Sequence, residues 1–67
     1  MTVLKTIEIM ADSEKGWKDA TQKAVEQASK TVKQIKSVWI QDHSATVENG
    51  KIAKYRVHTR ITFEIED

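Results

Sequence analysis

The sequence predicts an α+β fold, a βαββ unit in which a three-stranded antiparallel sheet wraps one amphipathic helix. Three observations carry this. One stretch repeats its apolar residues at helical spacing, the chain on either side of it alternates, and an Asn-Gly pair divides the longer alternating part in two.

Val3 to Met10 (VLKTIEIM) reads as the first strand, with Val3, Ile7 and Ile9 on one parity and Lys5 interrupting the run. Ala11 to Lys15 (ADSEK) reads as a polar connection. The helix is predicted from Gly16 to about Lys33. Its apolar members Trp17, Ala20, Ala24, Val25, Ala28 and Val32 are three and four apart, so they form one stripe. Three of them are alanine, which lets a flat partner approach closely. Gly16 occupies the N-cap position, a weaker choice than Ser or Asp, with Asp19 three residues on.

After Lys33 the period becomes two. Ile35 to Val47 and Ile52 to Ile65 are predicted strands, joined through Glu48-Asn49-Gly50-Lys51. Asn-Gly favours a type I′ turn because both central residues need positive φ. With that turn, facing positions sum to 99. Lys36 then faces Phe63, Val38 faces Ile61 and Ile40 faces Thr59, and this largely apolar parity is assigned to the helix. On the other face Ser37 pairs with Thr62, Trp39 with Arg60, Gln41 with His58 and His43 with Arg56. The second face thus carries a tryptophan, two histidines and two arginines on adjacent rungs.

All 67 residues form a single domain (1–67) on this reading. A domain so small buries only about 60 % of its unfolded surface. It has no cysteine, so neither a disulfide nor a thiolate metal site can reinforce it. Each hairpin arm would span roughly 40 Å, against about 27 Å for an 18-residue helix. Self-association is the predicted remedy for the overhang.

The composition also narrows function. The net charge of +1, with acids and bases interleaved, gives no basic footprint for nucleic acid. The longest apolar run falls short of a membrane span and the N-terminus has no signal-peptide pattern, so a cytoplasmic protein is expected. No Ser or Thr stands with a His and an acid at recognisable spacing, and no glycine-rich loop occurs, so no enzyme and no catalytic residue is predicted. His43 and His58 lie near each other across the expected ladder, with no Asp or Glu on their rungs, which falls short of the three or four ligands a metal requires.

The order of elements and several local strings resemble the dodecin family. They are Trp17-Lys18-Asp19-Ala20, Ala28-Ser29-Lys30-Thr31, Val47-Glu48-Asn49-Gly50-Lys51, Tyr55-x-Val57 and Phe63. The resemblance implies a hollow homododecamer of βαββ subunits that binds flavins. In that family, ring pairs stack between tryptophans of two subunits and are held by a glutamine. The tryptophan position falls on Ser37 and the glutamine position on Arg56. Trp39 lies two residues further along, on the same face and about 7 Å away.

The ligand-binding set implied is therefore Ser37, Trp39, Gln41, Arg56, His58 and Arg60. The expected function is non-enzymatic binding or storage of a flavin-like ligand, riboflavin or FMN, at subunit interfaces with weakened affinity. The alternative is a flavin-free dodecin-like shell with a structural or small-anion-binding role.

Overall fold

The computed structural model describes residues 2–65, and its elements follow the order β1 (Val3–Ser13), α1 (Trp17–Ala28), β2 (Ile35–Glu48) and β3 (Lys51–Ile65). The sheet order is β1-β3-β2, both pairings antiparallel. The two outer strands therefore run parallel to one another, and α1, which joins them, must cross the face of β3. This is why the helix presents alanine. Ala20, Ala24 and Ala28 are at most 2 % exposed and bring its backbone close to the central strand, where Val57, Thr59 and Ile61 are fully buried. Ile7, Ile9, Ala11, Val25, Val32, Ile35 and Val38 close the core around Ala24, Ala28 and Ile61.

Two element boundaries differ from expectation by more than one residue. The helix stops at Ala28, five residues before Lys33. Ser29 and Thr31 turn their hydroxyls onto the Glu26 and Ala28 carbonyls, at 2.8 and 3.2 Å. Such local bonds compete with helix continuation. The chain then takes a positive φ of 61° at Gln34 on its way into β2, and the Gln34 carbonyl accepts the Glu64 amide at 3.1 Å. Val32 still packs on the core, but from the connection rather than the helix.

β1, conversely, runs through Ala11, Asp12 and Ser13, so most of the expected polar connection is strand. Ser13 is buried and fastens strand to helix. Its hydroxyl donates to Asp19 at 2.5 Å and accepts the Lys15 amide at 2.9 Å. Gly16 enters the helix at φ 154°, a backbone region that disfavours side chains, and the helix has no side-chain N-cap.

The hairpin turn is as expected, with Asn49 and Gly50 at φ 51° and 75°. The sum of 99 holds from Ser37 to Ile40 and again at Val47 and Glu48. Between these segments the register slips by one. Gln41 is skipped, so Asp42 rather than Gln41 faces His58, His43 faces Val57, and Ser44 faces Arg56. A further slip places Ile35, not Lys36, opposite Phe63. Each slip is an extra residue in one strand, and its effect is to move every side chain beyond it to a new partner. His43 consequently turns to the helix side, away from His58. There its ring meets the edge of Trp17, which also contacts Tyr55, with both centroid separations 4.9 Å. Trp17, 38 % exposed, closes the end of the core and donates its indole N–H to the Ser44 carbonyl at 3.0 Å.

The sheet outruns the helix by more than expected. The chain is 51 Å long, whereas a 12-residue helix covers about 18 Å. Beyond the helix, or on the face away from it, Leu4, Met10, Trp39, Val47 and Ile52 stand more than half exposed. Among the described residues, no helix is long and apolar enough to cross a membrane.

Candidate functional site

The even-numbered residues of β3 face away from the helix and order the charged groups of all three strands. Glu8 and Asp12 of β1 stand directly opposite Arg60 and Arg56, and Asp42 and Trp39 of β2 stand opposite His58 and Arg60. The result is a ladder of alternating charge across the helix-free face.

Arg56 is held at two points by Asp12, Nε to Oδ1 at 2.7 Å and Nη2 to Oδ2 at 3.0 Å. A bidentate pair of this kind restricts the guanidinium as well as neutralising it. The Arg56 hydrogen bond holds the Asp12 carboxyl below its ordinary range, and Asp12 in turn raises the Arg56 pKa. Arg60 spans the sheet, donating Nη2–H to Glu8 Oε1 and Nε–H to Gln41 Oε1, each at 3.2 Å. His58 lies between two acids, with Nε2 2.9 Å from Glu8 Oε2 and Nδ1 3.7 Å from Asp42 Oδ2. A neutral imidazole can donate from one nitrogen only, so both acids are served by the charged form. The hydrogen bond to Glu8, and behind it the Asp42 charge, raise the His58 pKa. The same contact, with the Arg60 charge, lowers that of Glu8.

Trp39 lies beside this ladder with 60 % of its surface exposed. Ser37, one strand repeat before it on the same face, is exposed and small. Of the six site residues expected from sequence, all are on this face. Trp39, Gln41 and Arg60 stand together, His58 sits one rung away, and Ser37 and Arg56 are at opposite ends. Two open depressions of about 310 and 410 Å³ lie instead around the β1–α1 junction, lined among others by Lys15 and, respectively, Ser13 and Gly16. Neither includes a residue of the expected set.

Three acids that organise the face lie outside the set expected from sequence: Glu8, Asp12 and Asp42. Asp42 comes onto the His58 rung only through the bulge that skips Gln41. Glu8 and Asp12 carried a readable signal, since Ile7, Ile9, Ala11 and Ser13 continue one alternation and Thr6, Glu8, Met10 and Asp12 the other. Following it past Met10 extends the strand and sets both acids beside the β3 cations.

A helix laid over one face of a three-stranded β1-β3-β2 antiparallel sheet, with the opposite face charged and aromatic, defines the chain as a βαββ module. The chain belongs to the dodecin family, whose family model matches residues 3–66. Flavin binding and dodecameric assembly are features of that family. The fold is similar to that of a point variant of Thermus thermophilus dodecin, at 25 % identity over all of both chains and a TM-score of 0.94. Streptomyces davaonensis dodecin matches it with a TM-score of 0.93 and 18 % identity, covering 98 % of this chain and 97 % of that one. For Streptomyces coelicolor dodecin the values are 0.93 and 23 %, over 98 % and 94 %. No curated protein sequence matches the chain significantly.

Proposed function

We propose that this chain assembles into a closed, non-enzymatic homododecamer that holds a flavin-like planar ligand at subunit interfaces, with weaker affinity than the family's tryptophan–glutamine pattern would give. The observation that carries the reading is Trp39, 60 % exposed on the charged face of a dodecin-family subunit. An indole in that position offers a stacking surface, and a second subunit must supply the opposite wall because one sheet face is open. Gln41, His58 and Arg60 provide polar groups beside it, while Ser37 leaves room where the family has its ring. The closed assembly covers sheet edges and apolar residues that a single subunit leaves exposed.

A second reading, a flavin-free shell, draws support from Arg56. The residue at the family's glutamine position is engaged with Asp12, so its donors are partly spent.

Mass photometry with flavin-fluorescence titration tests both. The expected results are a dodecamer and weak quenching of riboflavin or FMN, diminished in Trp39→Ala and strengthened in Ser37→Trp with Arg56→Gln. A stable folded monomer at micromolar concentration would overturn the assembly. Tight riboflavin binding that survives Trp39→Ala would overturn the site.

A further inference from the structure

We propose that Gln41 is the residue that reads the polar edge of a planar heterocycle stacked on Trp39, and that Asp12 withdraws Arg56 from that task. The ligand class is a ring bearing an imide edge, an N–H flanked by two carbonyls, as in the pyrimidinedione portion of a flavin. The inference rests on the ligand reading above and assigns its specificity.

The bulge is the first argument. The β2–β3 ladder passes from Ile40 to Asp42 and leaves Gln41 without a partner, yet the contacts of Gln41 with Arg60 and of Asp42 with His58 put both side chains on the same face. Two consecutive residues of a regular strand would point to opposite faces. The irregularity thus sets an amide and a carboxylate side by side, next to the exposed indole. Bulges commonly re-aim a side chain in this way beside a working site.

The second argument fixes which way the amide points. Arg60 Nε can only donate, so the Gln41 atom 3.2 Å from it is the carbonyl oxygen. Arg60 is itself held by Glu8 at 3.2 Å, so the amide is oriented by groups that a ligand need not displace. One lone pair of Oε1 takes the Arg60 proton and the second remains for an acceptor role, while the adjacent NH₂ donates. Acceptor and donor side by side complement an imide N–H and its neighbouring carbonyl in a two-point contact. Arg56 has no acceptor to offer that N–H, and two of its nitrogens are occupied by Asp12. Asp42, the other acid beside Gln41, faces His58.

The test compares riboflavin with its N3-methyl derivative, which lacks the imide proton, by fluorescence quenching on the assembled protein. The unmodified chain is expected to prefer riboflavin by roughly tenfold or more, the effect of one lost partner in a desolvated site. Gln41→Leu should bring that ratio close to one, whereas Arg56→Ala should leave it unchanged. A merely structural role for Gln41 would weaken both ligands together and preserve the ratio. Asp12→Ala should release Arg56 and raise the preference for FMN over riboflavin, since a free guanidinium attracts the phosphate.

A ratio insensitive to Gln41→Leu, or one abolished by Arg56→Ala, overturns the assignment to Gln41 while riboflavin quenching still upholds the ligand reading. An unchanged FMN preference in Asp12→Ala overturns the role given to Asp12. Absence of quenching by the unmodified chain and by Ser37→Trp with Arg56→Gln overturns the ligand reading and this assignment with it.

Discussion

The two faces of β3 are built from alternate residues of the same strand and are held by different forces. Val57, Thr59 and Ile61 point to the helix and are fully buried; Arg56, His58 and Arg60 point away and remain half exposed within an ion-pair network. The first set stabilises through area removed from water, about 25 cal/mol per Å² of apolar surface. The second set consists of partly solvated pairs, each of which contributes little on its own. What the charged face provides is orientation. Asp12 fixes Arg56, Glu8 fixes Arg60, and Arg60 fixes the Gln41 amide. Burial and side-chain orientation are therefore separated by parity within one strand.

That separation can be broken most visibly at Ile61. It is fully buried against Ala24 and Ala28, where the closely packed alanines leave few flexible groups to fill a gap. Ile61→Ala should cost about 2–5 kcal/mol through lost transfer energy and the remaining cavity. Denaturant unfolding at fixed subunit concentration measures it. A loss below about 1 kcal/mol would mean that the helix side of β3 is not where this fold gains its stability.

Thr59 is a polar residue on the apolar face. It is fully buried, and its hydroxyl donates to the Ile9 carbonyl at 2.7 Å. Thr59→Val keeps the shape and removes the hydrogen bond, so a loss of about 1 kcal/mol is expected. A gain in stability would show that the desolvation of this hydroxyl outweighs its bond.

These particulars also mark how far periodicity reaches. The alanine stripe and the Ile7, Val38 and Ile61 positions were legible because burial repeats with the period of its element. The Asn49-Gly50 turn was legible because its backbone needs a specific pair of residues. Helix length was not, since Ser29 and Thr31 end α1 by side-chain bonds that no apolar pattern records. Nor was the middle of the hairpin. Alternation alone does not locate the extra residue at Gln41, and beyond it the register shifts by one, so that His43 faces Val57 rather than Arg56 and Asp42 rather than Gln41 faces His58. The charged face was legible in its membership and illegible in its pairings.

The smallest expected effect lies on that face and concerns pH. His58 has a folded pKa raised above its ordinary value, chiefly by the hydrogen bond with Glu8, which with the charges of Asp42 and Glu8 outweighs the opposing effect of desolvation. The groups facing it are Glu8 from β1, Asp42 from β2 and Arg60 on its own strand; the helix covers the other side. A raised pKa means the folded state binds the proton more tightly than the unfolded chain does. The stabilisation is thus complete below about pH 6.5, the unfolded value, and is lost as pH rises through the folded one. Glu8, Asp12 and Asp19 have the opposite sign. Their folded pKa values are lowered, so their contribution is present at neutral pH and declines as pH falls below the ordinary carboxylate range. The two trends leave a mildly acidic interval, above the carboxylates and below the histidine, in which all these pairs are charged. His58→Gln, which removes the titrating group, should flatten the alkaline limb of a plot of unfolding midpoint against pH and leave the acid limb in place. An alkaline limb that persists unchanged in His58→Gln would assign the proton to another group and remove His58 as the link between β1 and β2.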